Sequence, residues 1–211
     1  MLFRSGQTLI VYRNEPKSNN PEGDGNIYYT TFDGKDWSPL KDFGSNINTP
    51  YWETHACLSS DGHVLFFVSD RPGGYGGKDI YRCIKLPNGN WSKALNMGPI
   101  INSPDDEDGA FIHPDGHKFF FSSNGPNSMG GYDVFYATLN DEDKFDNVQN
   151  MGYPINTTDD DVFFVTSPDG KRSYFSSAKA GGYGDEDIYK ITIAEARESF
   201  LALFKGQLVP A

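Results

Sequence analysis

The chain has 211 residues, with 29 Asp and Glu against 18 Lys and Arg, a net charge of −11 and a pI near 4.7. Neutralising phosphates takes clustered Lys and Arg, and no basic stripe is present, which argues against nucleic acid as a partner. No apolar run approaches the length of a bilayer span, and residues 1–4 have neither the charged start nor the apolar body of a signal peptide.

In chain order, Ser5-Gly6 stands where a turn is expected, residues 7–12 read as a strand, and Asn26-Ile27-Tyr28 opens another. Then come Trp37, Gly44 and Asn48. A full copy follows: residues 56–59, the turn Asp61-Gly62, an apolar run over 64–69, a glycine-rich loop, the run 79–84 opening on Asp79, and a polar turn ending near Trp91. The next copy has Asp115-Gly116, a run over 118–123 and a strand opening on Asp133, and the last has Asp169-Gly170 and Asp187. The marks Asp61, Asp115 and Asp169 are 54 residues apart, as are Asp79, Asp133 and Asp187, and the partners Gly62, Gly116 and Gly170. Trp37, Trp91 and Phe145, Gly44, Gly98 and Gly152, and Asn48, Asn102 and Asn156 keep the same period.

A period near fifty residues, with runs of Phe, Val, Ile and Tyr and no helical pattern, predicts an all-β fold, a β-propeller of four-stranded antiparallel blades. The 15% aromatic content, 23 Gly and 13 Pro agree with many short strands and turns. Asp-Gly between two apolar runs predicts a type I′ hairpin, with a fourth strand near Trp91 and Phe145. The blades are expected within 1–194: a partial one over 1–49, then about 50–103, 104–157 and 158–194. Four units with an incomplete first one suggest a fragment of a larger ring, because an open ring exposes strand edges. Residues 195–211 read as a connector leading into either a last outer strand or a following domain, with closure of a four-bladed ring as a third option. Cys57 and Cys83 fall on strands two apart, about 9.6 Å, beyond the ~7 Å reach of a disulfide, and read as buried small apolar residues.

Glu53, Glu107 and Asp161 each stand eight residues before a hairpin Asp. If the first strands line the axis, these carboxylates gather at one mouth of the channel, where a hard cation such as Ca²⁺ is a possible ligand. The alternative is that each accepts hydrogen bonds from the scaffold. Asp79, Asp133 and Asp187 follow the glycine-rich loops and are expected to accept their N–H groups. Those loops join strands and precede no helix, so they are no phosphate cradle. The runs 105–108 and 159–161 read as mostly solvated acidic loop. A glycosidase needs a placed pair of carboxylates in unlike environments, whereas the acids here repeat symmetrically; the four histidines show no metal spacing. A non-catalytic role is therefore expected, with no cofactor other than the Ca²⁺ option. Arg71, Tyr75, Tyr132 and Tyr183 are the expected partner contacts, since Tyr and Arg dominate interface energetics, with packing on adjacent blades as an equal alternative for them. Glycan binding, or a glycosidase-type propeller, is the alternative.

Ser60-Asp61-Gly62, Ser69-Asp70-Arg71, the loop from Gly73 to Gly77 and Asp79-Ile80-Tyr81, with their copies, resemble the WD40-like propeller repeats related to those of TolB. The likeness covers most of residues 5–193. This form is similar to propellers of OmpA-family envelope proteins in the Bacteroidetes, some of them in type IX secretion and gliding machinery. The resemblance implies a periplasmic, outer-membrane-associated setting and an envelope protein as partner, without membrane insertion. It also implies peptidoglycan contact only through domains that this chain lacks, and a carboxypeptidase-regulatory-like domain from about residue 203.

Overall fold

Each copy of the repeat becomes one antiparallel sheet in the computed structural model, which describes residues 7–17, 20–142 and 144–192. Blade 1 has β1 (Thr8–Lys17), β2 (Asn20–Thr31) and β3 (Lys41–Asp42). Blade 2 has β4 (Glu53–Leu58), β5 (Val64–Ser69), β6 (Asp79–Ile84) and β7 (Leu95–Asn96). Blade 3 has β8 (Glu107–Ile112), β9 (Lys118–Ser123), β10 (Asp133–Leu139) and β11 (Phe145–Asn150). Blade 4 has β12 (Asp161–Thr166), β13 (Arg172–Ser177) and β14 (Asp187–Thr192). Strands pair in chain order within every sheet, and no helix occurs among the described residues. The chain is an all-β propeller. Two blades are four-stranded and two are three-stranded among the described residues; the expected connector and last strand after 194 lie outside them.

The core is built where one blade faces the next. Phe66, Val68 and Ile80 of blade 2 meet Ile112, Phe119 and Phe121 of blade 3, and Phe120 and Val134 of blade 3 meet Phe164 and Phe175 of blade 4. Burying such a side chain contributes about 1.5–3 kcal/mol. Ile188 and Tyr174 of blade 4 are exposed, although their counterparts Ile80, Val134, Phe66 and Phe120 are buried. Cys57 and Cys83 are buried free thiols in separate clusters, and burial pushes them up to about 12 and about 11.

Two local expectations need correcting. The Asp61-Gly62 connection is not type I′: the Gly62 N–H donates to the Ser59 carbonyl at 2.9 Å, and of the two residues only Gly62 has positive φ, at 74°. It is a type I turn closed by a left-handed glycine, with the Asp61 carboxylate accepting the His63 N–H at 2.9 Å. The outer strands also begin later than the aromatic marks in two blades. Trp37 and Trp91 form isolated bridges with Phe32 and Lys85, and only Phe145 starts a strand.

The asparagines of the repeat explain their own recurrence. Asn102 Oδ1 accepts the Ile80 N–H at 2.8 Å while its Nδ2 donates to the Ile80 carbonyl at 3.0 Å. Asn156 does the same to Val134, with both bonds at 2.8 Å. Asn48 does so to Ile27, at 3.0 and 2.8 Å. A side-chain amide thus supplies the donor and acceptor that a neighbouring strand would provide.

Candidate functional site

Strands that alternate in direction put the glycine-rich loops and the loops between blades at one end, and the Asp-Gly turns at the other. At the glycine-rich end blades 2 and 3 each clasp the blade that follows. The Lys78 N–H donates to Asp106 Oδ1 at 2.8 Å and the Glu107 N–H to the Lys78 carbonyl at 2.9 Å. Tyr132 and Asp160 repeat the bond at 2.8 Å, and Asp161 N–H returns to Tyr132 at 2.6 Å. Glycine is required for this approach: a Cβ on Gly76 would stand 1.8 Å from the Asp105 carbonyl oxygen, and one on Gly130 would stand 2.3 Å from Thr158 backbone. Asp106 and Asp160 therefore bridge blades, a task added to runs that remain largely solvated loop, with Asp105, Asp159 and Asp160 exposed.

Asp79 Oδ2 accepts the Tyr75 N–H at 2.6 Å, Asp133 Oδ2 the Met129 N–H at 2.6 Å, and Asp187 Oδ2 the Tyr183 N–H at 2.6 Å. These acids hold the loops in shape.

Glu53, Glu107 and Asp161 are fully buried at the starts of β4, β8 and β12. Each takes the backbone N–H four residues before it, from Thr49 at 2.7 Å, Ser103 at 2.9 Å and Thr157 at 2.6 Å. Ser69 Oγ also donates to Glu53, and Ser123 Oγ to Glu107, both at 2.8 Å. Each carboxylate is thus taken up by donors beside the start of its own strand. Among the described residues no three His, Cys, Asp or Glu side chains are grouped to hold a metal ion.

Arg71, expected as an exposed contact, is a scaffold residue. Its Nη2 lies 3.1 Å from Glu53 Oε1 and donates to the Ile47 carbonyl at 2.6 Å, and its Nε donates to Ser69 Oγ at 3.0 Å. The guanidinium carbon stands 5.0 Å from the centroids of both Phe67 and Tyr81. The buried carboxylate and two ring faces account for its inward turn.

The three expected tyrosines are not one series. Tyr75 and Tyr183 correspond to Met129, and these side chains are exposed. Tyr132 corresponds to Lys78 and is half-buried; burial, and then the charges of Asp106 and Asp108, push its hydroxyl well above the usual range. At the same end Trp52, Ile100 and Tyr153 are also exposed. The last three lie on interblade loops, whose side chains show no repeat that would mark them in the sequence.

The first strands do line the axis. A cavity of about 590 Å³ is bounded by Thr8 of blade 1 and by the ends of β4, β8 and β12, including Leu58, Phe111 and Val165. A second, of about 480 Å³, holds a polar pair that the other blades do not repeat: His55 Nδ1 lies 3.0 Å from Asp108 Oδ1, and the His55 ring stacks on Phe163 at 4.1 Å. Burial would raise the Asp108 carboxyl, but the His55 hydrogen bond and charge, the Gly109 N–H and Lys78 outweigh it and hold the group below its usual value. Phe163 has φ of 61°, a left-handed conformation that costs a non-glycine residue about 1–2 kcal/mol. The residues aligned with Asp108 are Thr54 and Val162, so this ring position carries a single carboxylate among the three blades.

No protein-family model and no curated protein sequence matches the chain. Solved structures do. A protein assigned as TolB in Agrobacterium tumefaciens superposes with a TM-score of 0.58 and 16% identity, over 91% of this chain and 60% of that one. The tricorn protease gives 0.55 and 8%, over 92% and 20%. An α-L-arabinofuranosidase from Lactobacillus brevis gives 0.52 and 11%, over 90% and 70%. The chain thus has a TolB-like propeller fold, and spans about three-fifths of that TolB protein and one-fifth of the protease.

Proposed function

We propose that these blades form a non-catalytic docking scaffold, which binds a protein partner at the glycine-rich end within a cell-envelope protein. The observation that carries this reading is how the end is built. Its repeated acids are taken up by blade-to-blade and loop hydrogen bonds, while Trp52, Tyr75, Ile100, Met129, Tyr153 and Tyr183 project from it with no such task for their side chains. Trp37, Ile84 and Leu86 are exposed at the opposite end as well, but the six side chains here stand over loops that the blade-to-blade bonds hold in place, which suits a binding face. The envelope setting rests on the resemblance of the Ser-Asp-Arg, glycine-rich and Asp-Ile-Tyr segments to envelope propellers. Against the glycosidase alternative, which needs two placed carboxylates, stands the single carboxylate, Asp108 paired with His55, at its ring position among blades 2 to 4.

The test is crosslinking in cells of the full-length protein, with mass spectrometry of peptides joined to residues 7–192. The expected result is a reproducible set of crosslinks from the loops around Tyr75 and Met129 to one envelope protein, lost on Tyr75→Ala with Met129→Ala at unchanged melting temperature. Crosslinks confined to the opposite end, or retention of the protein on a glycan matrix through Tyr75 and Tyr183, would overturn it.

A further inference from the structure

The seam where Arg71 sits recurs in each later blade, with a different residue at its centre. Stepping by the repeat, Glu53 becomes Glu107 and Asp161, Phe67 becomes Phe121 and Phe175, and Tyr81 becomes Phe135 and Tyr189. The ring pairs keep one geometry, with centroids 6.0, 5.8 and 5.6 Å apart and interplanar angles of 26°, 19° and 30°. Over the first pair lies the Arg71 guanidinium, 5.0 Å from each centroid. Over the third lies Lys179 Nζ, 5.3 Å from Phe175 and 3.6 Å from Tyr189. The residue aligned with Arg71 and Lys179 in blade 3 is Gly125, which has no side chain to offer.

The result is a cavity of about 500 Å³ at the glycine-rich end, lined by Glu107, Phe121, Ser123, Phe135, Ile101 and Tyr75. It holds the parts that bind a cation in blade 2. Glu107 is fully buried and accepts from Ser103 N–H and Ser123 Oγ, with no cation paired to it among the described residues. Burial holds its carboxyl above the ordinary range in spite of those donors. Phe121 and Phe135 present the stacked pair, and Ile101 stands where Ile47 caps the Arg71 guanidinium.

We infer that this cavity is a receptor for an arginine side chain presented by a protein partner, its guanidinium pairing with Glu107 and lying over Phe121 and Phe135 as Arg71 does in the preceding blade. A planar fork of donors over aromatic faces matches a carboxylate better than an ammonium does. Partner chemistry follows from charge: the chain carries −11, and exposed Asp105, Asp159 and Asp160 flank this end, so a basic segment is favoured. The inference rests on the docking reading for the source of the arginine, while the cation site itself stands on the cavity.

The experiment uses the full chain and a blocked arginine, N-acetylarginine methylamide, followed by amide chemical shifts at low salt, with the neutral citrulline analogue as control. Saturable shifts at Gly125, Ser123 and Ile101 are expected with arginine and none with citrulline. Glu107→Gln, confirmed folded by its unchanged spectrum elsewhere, is expected to weaken the arginine by about tenfold or more, the worth of a charge-assisted hydrogen bond. Phe135→Leu is expected to weaken it as well, by several-fold. Equal shifts with citrulline, or arginine binding unmoved by Glu107→Gln, would overturn the site. A partner crosslinked at this end with no arginine shifts would overturn the site and leave docking standing; arginine binding without any crosslinked partner would do the reverse.

Discussion

Removing the Arg71 side chain tests how the seams are held. Glu53 is fully buried, and Arg71 is its one cation among the described residues, 3.1 Å away with 14% of its side chain exposed. Arg71→Ala leaves the carboxylate with only the Thr49 and Ser69 donors and strips the guanidinium from Phe67 and Tyr81. Breaking a buried pair by removing one partner costs about 3–5 kcal/mol, because the other charge stays buried without its partner. For a chain of this size that is a fall of about 6–20 °C in melting temperature. Urea unfolding followed by tryptophan fluorescence measures the loss directly. Adding Glu53→Gln to Arg71→Ala should return part of it, since no charge is then left in the seam. Arg71→Lys should recover less than the wild type, for an ammonium cannot reach Glu53, Ser69 and Ile47 with one planar group. A loss under about 1 kcal/mol for Arg71→Ala, the range of exposed pairs, would refute the reasoning, as would two substitutions whose effects simply add.

Asn156→Ala leaves the Val134 N–H and carbonyl buried without their partner, at about 1–3 kcal/mol for each group, and hydrogen exchange at the Val134 amide should quicken. Gly76→Ala should cost about 1–3 kcal/mol by overpacking against the Asp105 carbonyl, whereas Gly184→Ala, at the aligned position where a Cβ meets nothing within 4 Å, should change stability by less than about 0.5 kcal/mol in thermal melts. Cys57 and Cys83 should resist maleimide at neutral pH until the protein is unfolded, as burial holds both thiols far above the pH. Because the Glu107 carboxyl is raised, the folded state holds its proton more tightly than the unfolded one, so its contribution to stability declines as pH rises from about 4.3 through the folded value. Melting temperature measured from pH 4 to 7 should therefore decline less over that window in Glu107→Gln; parallel curves would count against the raised carboxyl.

What the sequence made legible is what the repeat itself demands. Asp79, Asn102 and Gly98 recur because each does one backbone task per blade: closing a loop, clasping a strand, or turning with φ of 82°. Periodicity found them, and with them the propeller and its strand order. It could not assign Arg71, whose motif places it at a loop edge while a carboxylate sixteen residues before its neighbour Ser69 and two rings from other strands draw it inward. Tyr132 takes the packing alternative for the same reason, since its surroundings come from Asp106, in the loop before β8, and Asp160, in the loop before β12. Interblade loops carry Ile100 and Tyr153 with no recurring partner, so only the folded chain shows them exposed at the glycine-rich end. A repeat read for its constant residues reports the scaffold; read for the position where a constant environment loses its usual occupant, it reports a site. Gly125 is that position: to the eye it continues a loop, and beside Arg71 and Lys179 it removes a cation from above a carboxylate and two phenylalanine rings that stay in place.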